Sequence, residues 1–340
     1  MAAKGRYIIV GENIHCTRIR LASGKFVAVM KDGRSALTFK EGAETRYMPI
    51  PEIFTAGEDW KNGRIKHVQA AIRQGMYGSG EDAEAGKAYL RAMALEQAAA
   101  GAWFLDVNVD EFSMELDEKI KAIEWTAAVL QSTAGVPLSI DSSDPNILRA
   151  GLAACDKSRG KPMVNSVSLE RAAMIPIAAK AGACVIAGAT GEASMPASVE
   201  DRVSNISLLM AKLTDAGFTP GDIYLDPLVM PVSVDTKNPG MVLEAVRAMR
   251  AAYGMDVHFA PGLSNVSFGL PKRAIINQVF AWLCLEEGCD GGIVDPMQIN
   301  DKTLSALDTE SGVAKLAKEL LLGNDEYGMN FITACRDGSA

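Results

Sequence analysis

Short apolar runs that end in an acid or an amide recur along this chain, and that recurrence limits its fold more than any other feature. Phe104-Leu105-Asp106-Val107-Asn108, Leu138-Ser139-Ile140-Asp141, Met163-Val164-Asn165, Tyr224-Leu225-Asp226 and Ile293-Val294-Asp295 share the form. Val257-His258-Phe259-Ala260 climbs instead into the small-residue turn Pro261-Gly262-Leu263-Ser264-Asn265. Runs of this length bounded by turn residues read as buried parallel strands. Strands are expected at 7–10, 103–107, 137–141, 162–166, 183–187, 222–226, 257–260 and 291–294. Helices are expected at 82–100, 115–133, from Asp144-Pro145, then at 169–181, 198–217, 237–253, 272–287 and 301–322. Asp144 and Pro145 have the form of a cap and a first-turn proline, and Gly217 closes its helix. No GxGxxG follows the first strand, which argues against a dinucleotide-binding doubly wound sheet. Eight strand–helix units in order favour the α/β class, as a (β/α)8 TIM barrel.

The first strand, Tyr7-Ile8-Ile9-Val10, ends in Gly11-Glu12-Asn13, and a long connection over 14–80 follows. A structureless loop of that length is rare, so the segment should fold on its own. Lys25–Met30 and Arg34–Phe39 flank Lys31-Asp32-Gly33 as a β-hairpin, and Ile65, Val68 and Ile72 lie at helical spacing. The expectation is one barrel domain over 1–340, with 14–80 inserted on the C-terminal face and 324–340 as a tail.

Net charge is -8, from 34 basic and 42 acidic residues, with no basic block. Nucleic acid is therefore not an expected partner, because its binding rests on phosphate neutralisation. The start of the chain, MAAKGRYIIV, lacks the apolar core of a signal peptide, and no run approaches a membrane span. The six cysteines form no CxxC pair, which fits a reduced, cytoplasmic protein with buried thiols.

In a barrel of this class the strand C-termini host the site. Glu12, Asn13, Asp106, Asn108, Asp141, Asn165, Asp226, Asn265 and Asp295 are the candidates by that rule. Each has a structural alternative: strand-terminal aspartates cap helices, Asp226 and Asp295 precede prolines and suit turns, and Asn165 and Asn265 can satisfy turn backbone. Metal chemistry fits poorly, since His15, His67 and His258 have no ligand spacing, and no strand ends in a Schiff-base lysine. A cluster of carboxylates and amides suits a neutral heterocycle rich in N–H donors, such as a pterin.

Six motifs in order carry a resemblance: Gly11-Glu12-Asn13, Leu105-Asp106-Val107-Asn108, Ile140-Asp141-Ser142, Val164-Asn165-Ser166, Asp226-Pro227-Leu228-Val229 and Gly262-Leu263-Ser264-Asn265-Val266-Ser267. Through them the chain resembles the pterin-binding methyltransferase family, of the dihydropteroate-synthase-like barrel, over roughly 5–13 and 82–300. The resemblance implies methyl transfer between N5 of tetrahydrofolate (or 5-methyltetrahydrofolate) and a corrinoid, usually by a homodimer. It implies that Asp141, Asn165 and Asp226 hold the pterin ring and that Asn265 contacts N5. Glu12, Asn13, Asp106, Asn108 and Ser267 belong to the same pterin-binding set, with Asn265, Asp226 and Asp141 as the catalytic residues. A neutral amide can accept from protonated N5 or donate to its free lone pair, so Asn265 suits both states.

The family's corrinoid signature, Asp-x-His-x-x-Gly, is matched only by Asp256-Val257-His258, with Pro261 where the glycine belongs. A separate corrinoid protein carrying cobalamin is therefore the expected partner. The hairpin and the basic positions Lys61, Arg64, Lys66 and Arg73, read as a helix over 61–73, suit binding of that partner or of the folate glutamate tail, but a solvated face is the preferred reading. The long 14–80 segment favours the direction from methylcobalamin to tetrahydrofolate, as in a demethylation pathway. The alternatives are the reverse direction, dihydropteroate synthase and a non-catalytic folate-binding barrel. Against the synthase, its Asn-x-Thr-x-Asp-Ser-Phe loop is absent and Val294-Asp295-Pro296 replaces its Arg-x-His.

Overall fold

The computed structural model describes residues 7–338. Residues 1–6, part of the stretch inspected for a leader, and 339–340, the end of the expected tail, lie outside the described residues. The eight strands of the principal sheet are β1 (Ile8–His15), β2 (Phe104–Asn108), β3 (Leu138–Asp141), β4 (Met163–Val167), β5 (Cys184–Gly188), β6 (Ile223–Asp226), β7 (His258–Phe259) and β8 (Gly291–Val294). Their order is β7-β6-β5-β4-β3-β2-β1-β8, each strand beside its neighbour in sequence and β8 beside β1. This is the (β/α)8 order, with a helix after every strand.

The chain divides into two compact units. The first comprises the described residues up to Gly11, then Ala100–Trp103 and Met163 onward. Here β4, β5, β6 and β7 form consecutive parallel pairs, while Ile8–Gly11 of β1 pair with Gly291–Val294. Among the described residues no ladder joins β7 to β8, but Ile293 N donates to the Pro261 carbonyl at 2.8 Å and so links their ends. Val164, Val185, Ile186, Leu225, Phe259 and Val294 are fully buried, as strands covered on both faces require.

Helix starts in this unit follow local chemistry. Ser198 and Asp201 form a reciprocal capping box on the helix Val199–Asp215. The helix expected over 169–181 is shorter, Ile175–Ala181 after a 3-10 turn, because Pro176 belongs in a first turn and not in a helix interior. The helix expected over 301–322 is two, Asp301–Ser305 and Gly312–Leu321. Between them Asp308 accepts the Glu310 N–H at 3.0 Å, a side-chain turn that competes with the helical ladder. The tail carries a further helix, Met329–Asp337.

The second unit comprises Glu12–Ala99 and Phe104–Pro162. β2 and β3 pair in parallel, with Leu105 opposite Leu138 and Asp106 opposite Ser139. The expected hairpin is an antiparallel pair, Val27–Val29 with Ser35–Glu41, to which Glu44–Pro49 adds a third strand. The basic stretch 61–73 is not one helix. Arg64–Lys66 pair with Ile19–Leu21 as strands, and the helix begins only at His67, running to Tyr77. That helix packs on Gly80–Ala99 so closely that Gly75 and Gly86 meet backbone to backbone: a Cβ on Gly86 would lie 2.5 Å from Gly75 N. All six cysteines are free, and Cys16, Cys184, Cys284 and Cys289 are buried. No helix among the described residues is long and apolar enough to cross a membrane.

Candidate active site

In the first unit the polar groups at the ends of β6 and β7 are shaped by two linked turns. Asp226 ends β6, and its Oδ1 accepts the Leu228 N–H at 2.8 Å. The Gly262 N–H also donates to this carboxylate. Burial nevertheless dominates and pushes the Asp226 carboxyl up to about 6, against the two N–H donors and the Arg202 charge, which pull it down. Leu228 has φ +68°, a left-handed conformation that a leucine adopts only when its surroundings hold it there.

The holding group is Arg202, whose side chain is 0% exposed. Its Nε donates to the Pro227 carbonyl at 2.9 Å and its Nη1 to the Ser198 carbonyl at 2.9 Å. Asn238 is likewise buried and accepts the Met230 N–H at 2.8 Å, fixing the far side of the same loop.

After β7, residues Leu263–Ser267 form a 3-10 turn. It is tied down by Val232 N donating to the Val266 carbonyl at 2.9 Å and by Arg273 Nη2 donating to the Ser264 carbonyl at 2.7 Å. Ser267 is buried, and its hydroxyl accepts from Arg273 Nε at 3.0 Å, so it supports the turn from inside. Asn265 is exposed on the outer side of the turn. A Cβ added to Gly262 would stand 2.9 Å from the Asn265 amide nitrogen, so the glycine leaves the space the amide uses.

Asn165 lies in the middle of β4 and not at its end as expected, half-buried, where the ladder with β5 shifts register between Ile186 and Ala187. The Asn165–Ser166 peptide is cis. Asp295, after β8, is used locally: Oδ1 accepts the Met297 N–H at 3.0 Å and Oδ2 the Gln298 amide at 2.7 Å. The partial corrinoid signature is also used locally, since His258 Nδ1 meets Asp290 Oδ2 at 2.8 Å and its ring lies against Tyr224.

In the second unit the strand ends form a connected network. Asn108 is buried, and its Oδ1 accepts the Asp110 N–H at 3.0 Å. That fixes the amide orientation and turns Nδ2 toward Asp141 Oδ2, to which it donates at 3.0 Å. Asp110 in turn accepts from the Ser142 hydroxyl at 2.6 Å and the Ser143 N–H at 3.0 Å, joining the loop after β2 to the loop after β3. Asp144 caps Pro145–Ala154 as expected, accepting the Asn146 N–H at 2.7 Å, so Asp141 is not the cap. Asp106 is buried in mid-strand, opposite Ser139. The Glu12 carboxylate pairs with Arg18 at 2.6 Å, and Asn13 N donates to Gln97 at 3.2 Å.

His15 and Arg18 also belong to this network, although sequence reasoning passed over them. β1 continues to His15 instead of stopping near Asn13. His15 Nδ1 accepts the Thr17 N–H at 3.1 Å, which leaves the proton of the neutral ring on Nε2, and Nε2 stands 3.8 Å from Asp141 Oδ2. Burial and the Arg18 charge lower its pKa, so the ring is neutral at pH 7. The signal available was the alternation of strand faces, which puts His15 on the same side as Asn13.

Comparison with known proteins agrees with this layout. Residues 81–295 match the pterin binding enzyme family. The chain is 31% identical over 282 residues to a methylcorrinoid:tetrahydrofolate methyltransferase of Eubacterium limosum, covering 82% of this chain and 94% of that protein. It is 28% identical over 222 residues to a methionine synthase of Mycobacterium tuberculosis, covering 61% of this chain and 18% of that protein. The dihydropteroate synthase of Xanthomonas albilineans, solved with 7,8-dihydropteroate, has the same fold at TM-score 0.50 and 22% identity, over 68% of this chain and 86% of that one. The strand-end acids and amides, the amide-bearing turn after β7 and these matches together establish that the chain belongs to the pterin-binding enzyme family.

Proposed function

We propose that the chain is a methyltransferase that moves a methyl group from the corrinoid of a separate protein to N5 of tetrahydrofolate, within a demethylation route in the cytoplasm, acting as a homodimer. The name of the Eubacterium limosum relative supports both the pair of substrates and the direction. The observation that carries the reading is Asn265, an exposed amide on a braced turn whose Gly262 also donates to Asp226.

The residues fit a pterin edge. Asp226 accepts from ring N–H and amino groups, and its two backbone donors fix which way it points. The resemblance assigns ring-holding roles to Asn165 and Asp141 and puts Asp106, Asn108, Glu12 and Asn13 in the same pterin-binding set. Ser267 contributes by bracing the turn, through Arg273.

The transfer is an in-line displacement. The N5 lone pair takes the methyl carbon, the electron pair of the broken carbon–cobalt bond stays with the corrinoid, and N5 then releases its proton to solvent water. Asn265 accepts from N5–H before the step and donates to the N5 lone pair after it. Most of the rate gain then comes from holding N5 in line. The corrinoid comes from a partner, since His258, the one histidine in the partial signature, is committed to Asp290.

The test is anaerobic absorbance with methylcobalamin and tetrahydrofolate, comparing wild type with Asn265→Ala. Cob(I)alamin formation by wild type, reduced on the order of 100-fold or more in the variant, is the expected result. Equal rates in the two proteins would remove the assignment.

A further inference from the structure

The Pro227–Leu228 peptide is gripped at both ends by charged groups. Its carbonyl accepts from the buried Arg202 guanidinium at 2.9 Å, and its N–H donates to the Asp226 carboxylate at 2.8 Å. We infer that Arg202 is a positioning residue for Asp226, acting through this one peptide plane to aim the carboxylate and hold it as the anion that receives the pterin. The inference rests on the pterin-site reading of Asp226 given above.

Three observations carry it. Leu228 sits at φ +68°, so the peptide is held in an orientation the chain does not adopt by default, and the carbonyl bond from Arg202 is what resists its rotation. Arg202 is wholly buried and spends its Nε and Nη1 on the carbonyls of Pro227 and Ser198, while Nη2 has no hydrogen-bond partner among the described residues. A buried guanidinium is costly, and among the described residues it makes no direct carboxylate pair that would offset the cost. Finally, a peptide whose carbonyl is bound to a cation has a more polarised N–H, which makes it a stronger donor to the carboxylate beyond.

The charged and titratable surroundings are few. Asp226 is faced by Arg202, by the Leu228 and Gly262 N–H groups and, more remotely, by the buried Cys289 thiol. Arg202 is faced by Asp201 on its own helix, by Asp226 and by Asp235 in the loop after β6. Arg202 thus supplies the positive charge that favours ionised Asp226, while the burial of the site works against it.

The experiment compares wild type, Arg202→Lys, Arg202→Gln and Leu228→Gly, with Asp226→Asn as reference. Two readings are taken: the pH dependence of tetrahydrofolate binding, and direct NMR titration of the Asp226 carboxyl carbon in the protein without ligand. Arg202→Gln keeps a donor without its charge and is expected to raise the Asp226 midpoint by about one pH unit, weakening binding about twofold near pH 7 and approaching tenfold toward pH 5. Arg202→Lys, which keeps the charge but not the fork, is expected to fold and to move the midpoint less. Leu228→Gly frees the peptide to turn and is expected to weaken binding with Arg202 intact. If the variants fold and lose affinity but the carboxyl midpoint stays where it is in wild type, Arg202 is a structural residue and the inference fails. If wild type itself does not bind tetrahydrofolate, the pterin reading fails, and the NMR titration still decides whether Arg202 controls Asp226.

Discussion

Asn108 donates from Nδ2 to Asp141 Oδ2 at 3.0 Å, and its orientation is forced by the Asp110 N–H held on its other end. The pair makes Asn108 a support for Asp141. Asn108→Asp would put a second carboxylate at hydrogen-bond distance from Asp141. Like charges so placed cannot both ionise freely, and one acquires a raised pKa. Tetrahydrofolate affinity is expected to fall at least about tenfold above pH 7 and to recover partly toward pH 6. Titration calorimetry at several pH values reads this, and a pH-independent loss would show that the pair is not coupled.

Asp226 gives a stability prediction whose sign is opposite to that of a salt-bridged acid. Its folded pKa is raised to about 6, so between about pH 4 and 6 the folded protein keeps a proton that the unfolded chain has released. Its contribution to stability is therefore fully present at low pH and is lost as pH rises through about 6. Asp226→Asn is expected to be more stable than wild type by about 1–3 kcal/mol at pH 8, with the difference fading toward pH 4. Urea unfolding of both proteins at the two pH values measures it. The same substitution is expected to abolish most transfer, which separates the stability of this site from its use.

Gly262 offers a test of Asn265 that leaves the amide in place. Gly262→Ala inserts a Cβ 2.9 Å from the Asn265 amide nitrogen, and Gly262 has φ -71°, so the alanine itself is unstrained. The cheapest relief is movement of the exposed amide. Stability within about 0.5 kcal/mol of wild type is expected, with transfer reduced on the order of tenfold or more. Thermal unfolding and the anaerobic assay read the two quantities, and unchanged turnover would mean that the position of Asn265 is not critical.

Gly86 tests the packing of the second unit. A Cβ there meets the Gly75 backbone nitrogen at 2.5 Å and the Ala71 carbonyl at 2.8 Å, neither of which is a flexible side-chain tip. Gly86→Ala is expected to destabilise by about 1–3 kcal/mol although it improves helix propensity. Chemical denaturation decides between the two effects.

The sequence by itself determined the eight strand–helix units, the Asp144 cap and the Gly217 helix end, because each depends on residues within a turn or two, but it put Asp106 and Asn165 at strand ends where the structure has them in mid-strand. It did not determine what each strand-end acid does. Asp226 and Asp295 both stand before a proline and both accept an N–H two residues on, and the local chain does not tell them apart. The tertiary structure does: Asp295 gives its second oxygen to nearby Gln298, whereas Asp226 is reached by Gly262 and faced by Arg202, from other parts of the chain. His15 beside Asp141 and Ser267 turned in toward Arg273 were hidden for the same reason. The period of apolar residues marks where a strand lies, but its end, and the charge state and aim of the polar group near it, depend on burial and on donors that only folding brings near.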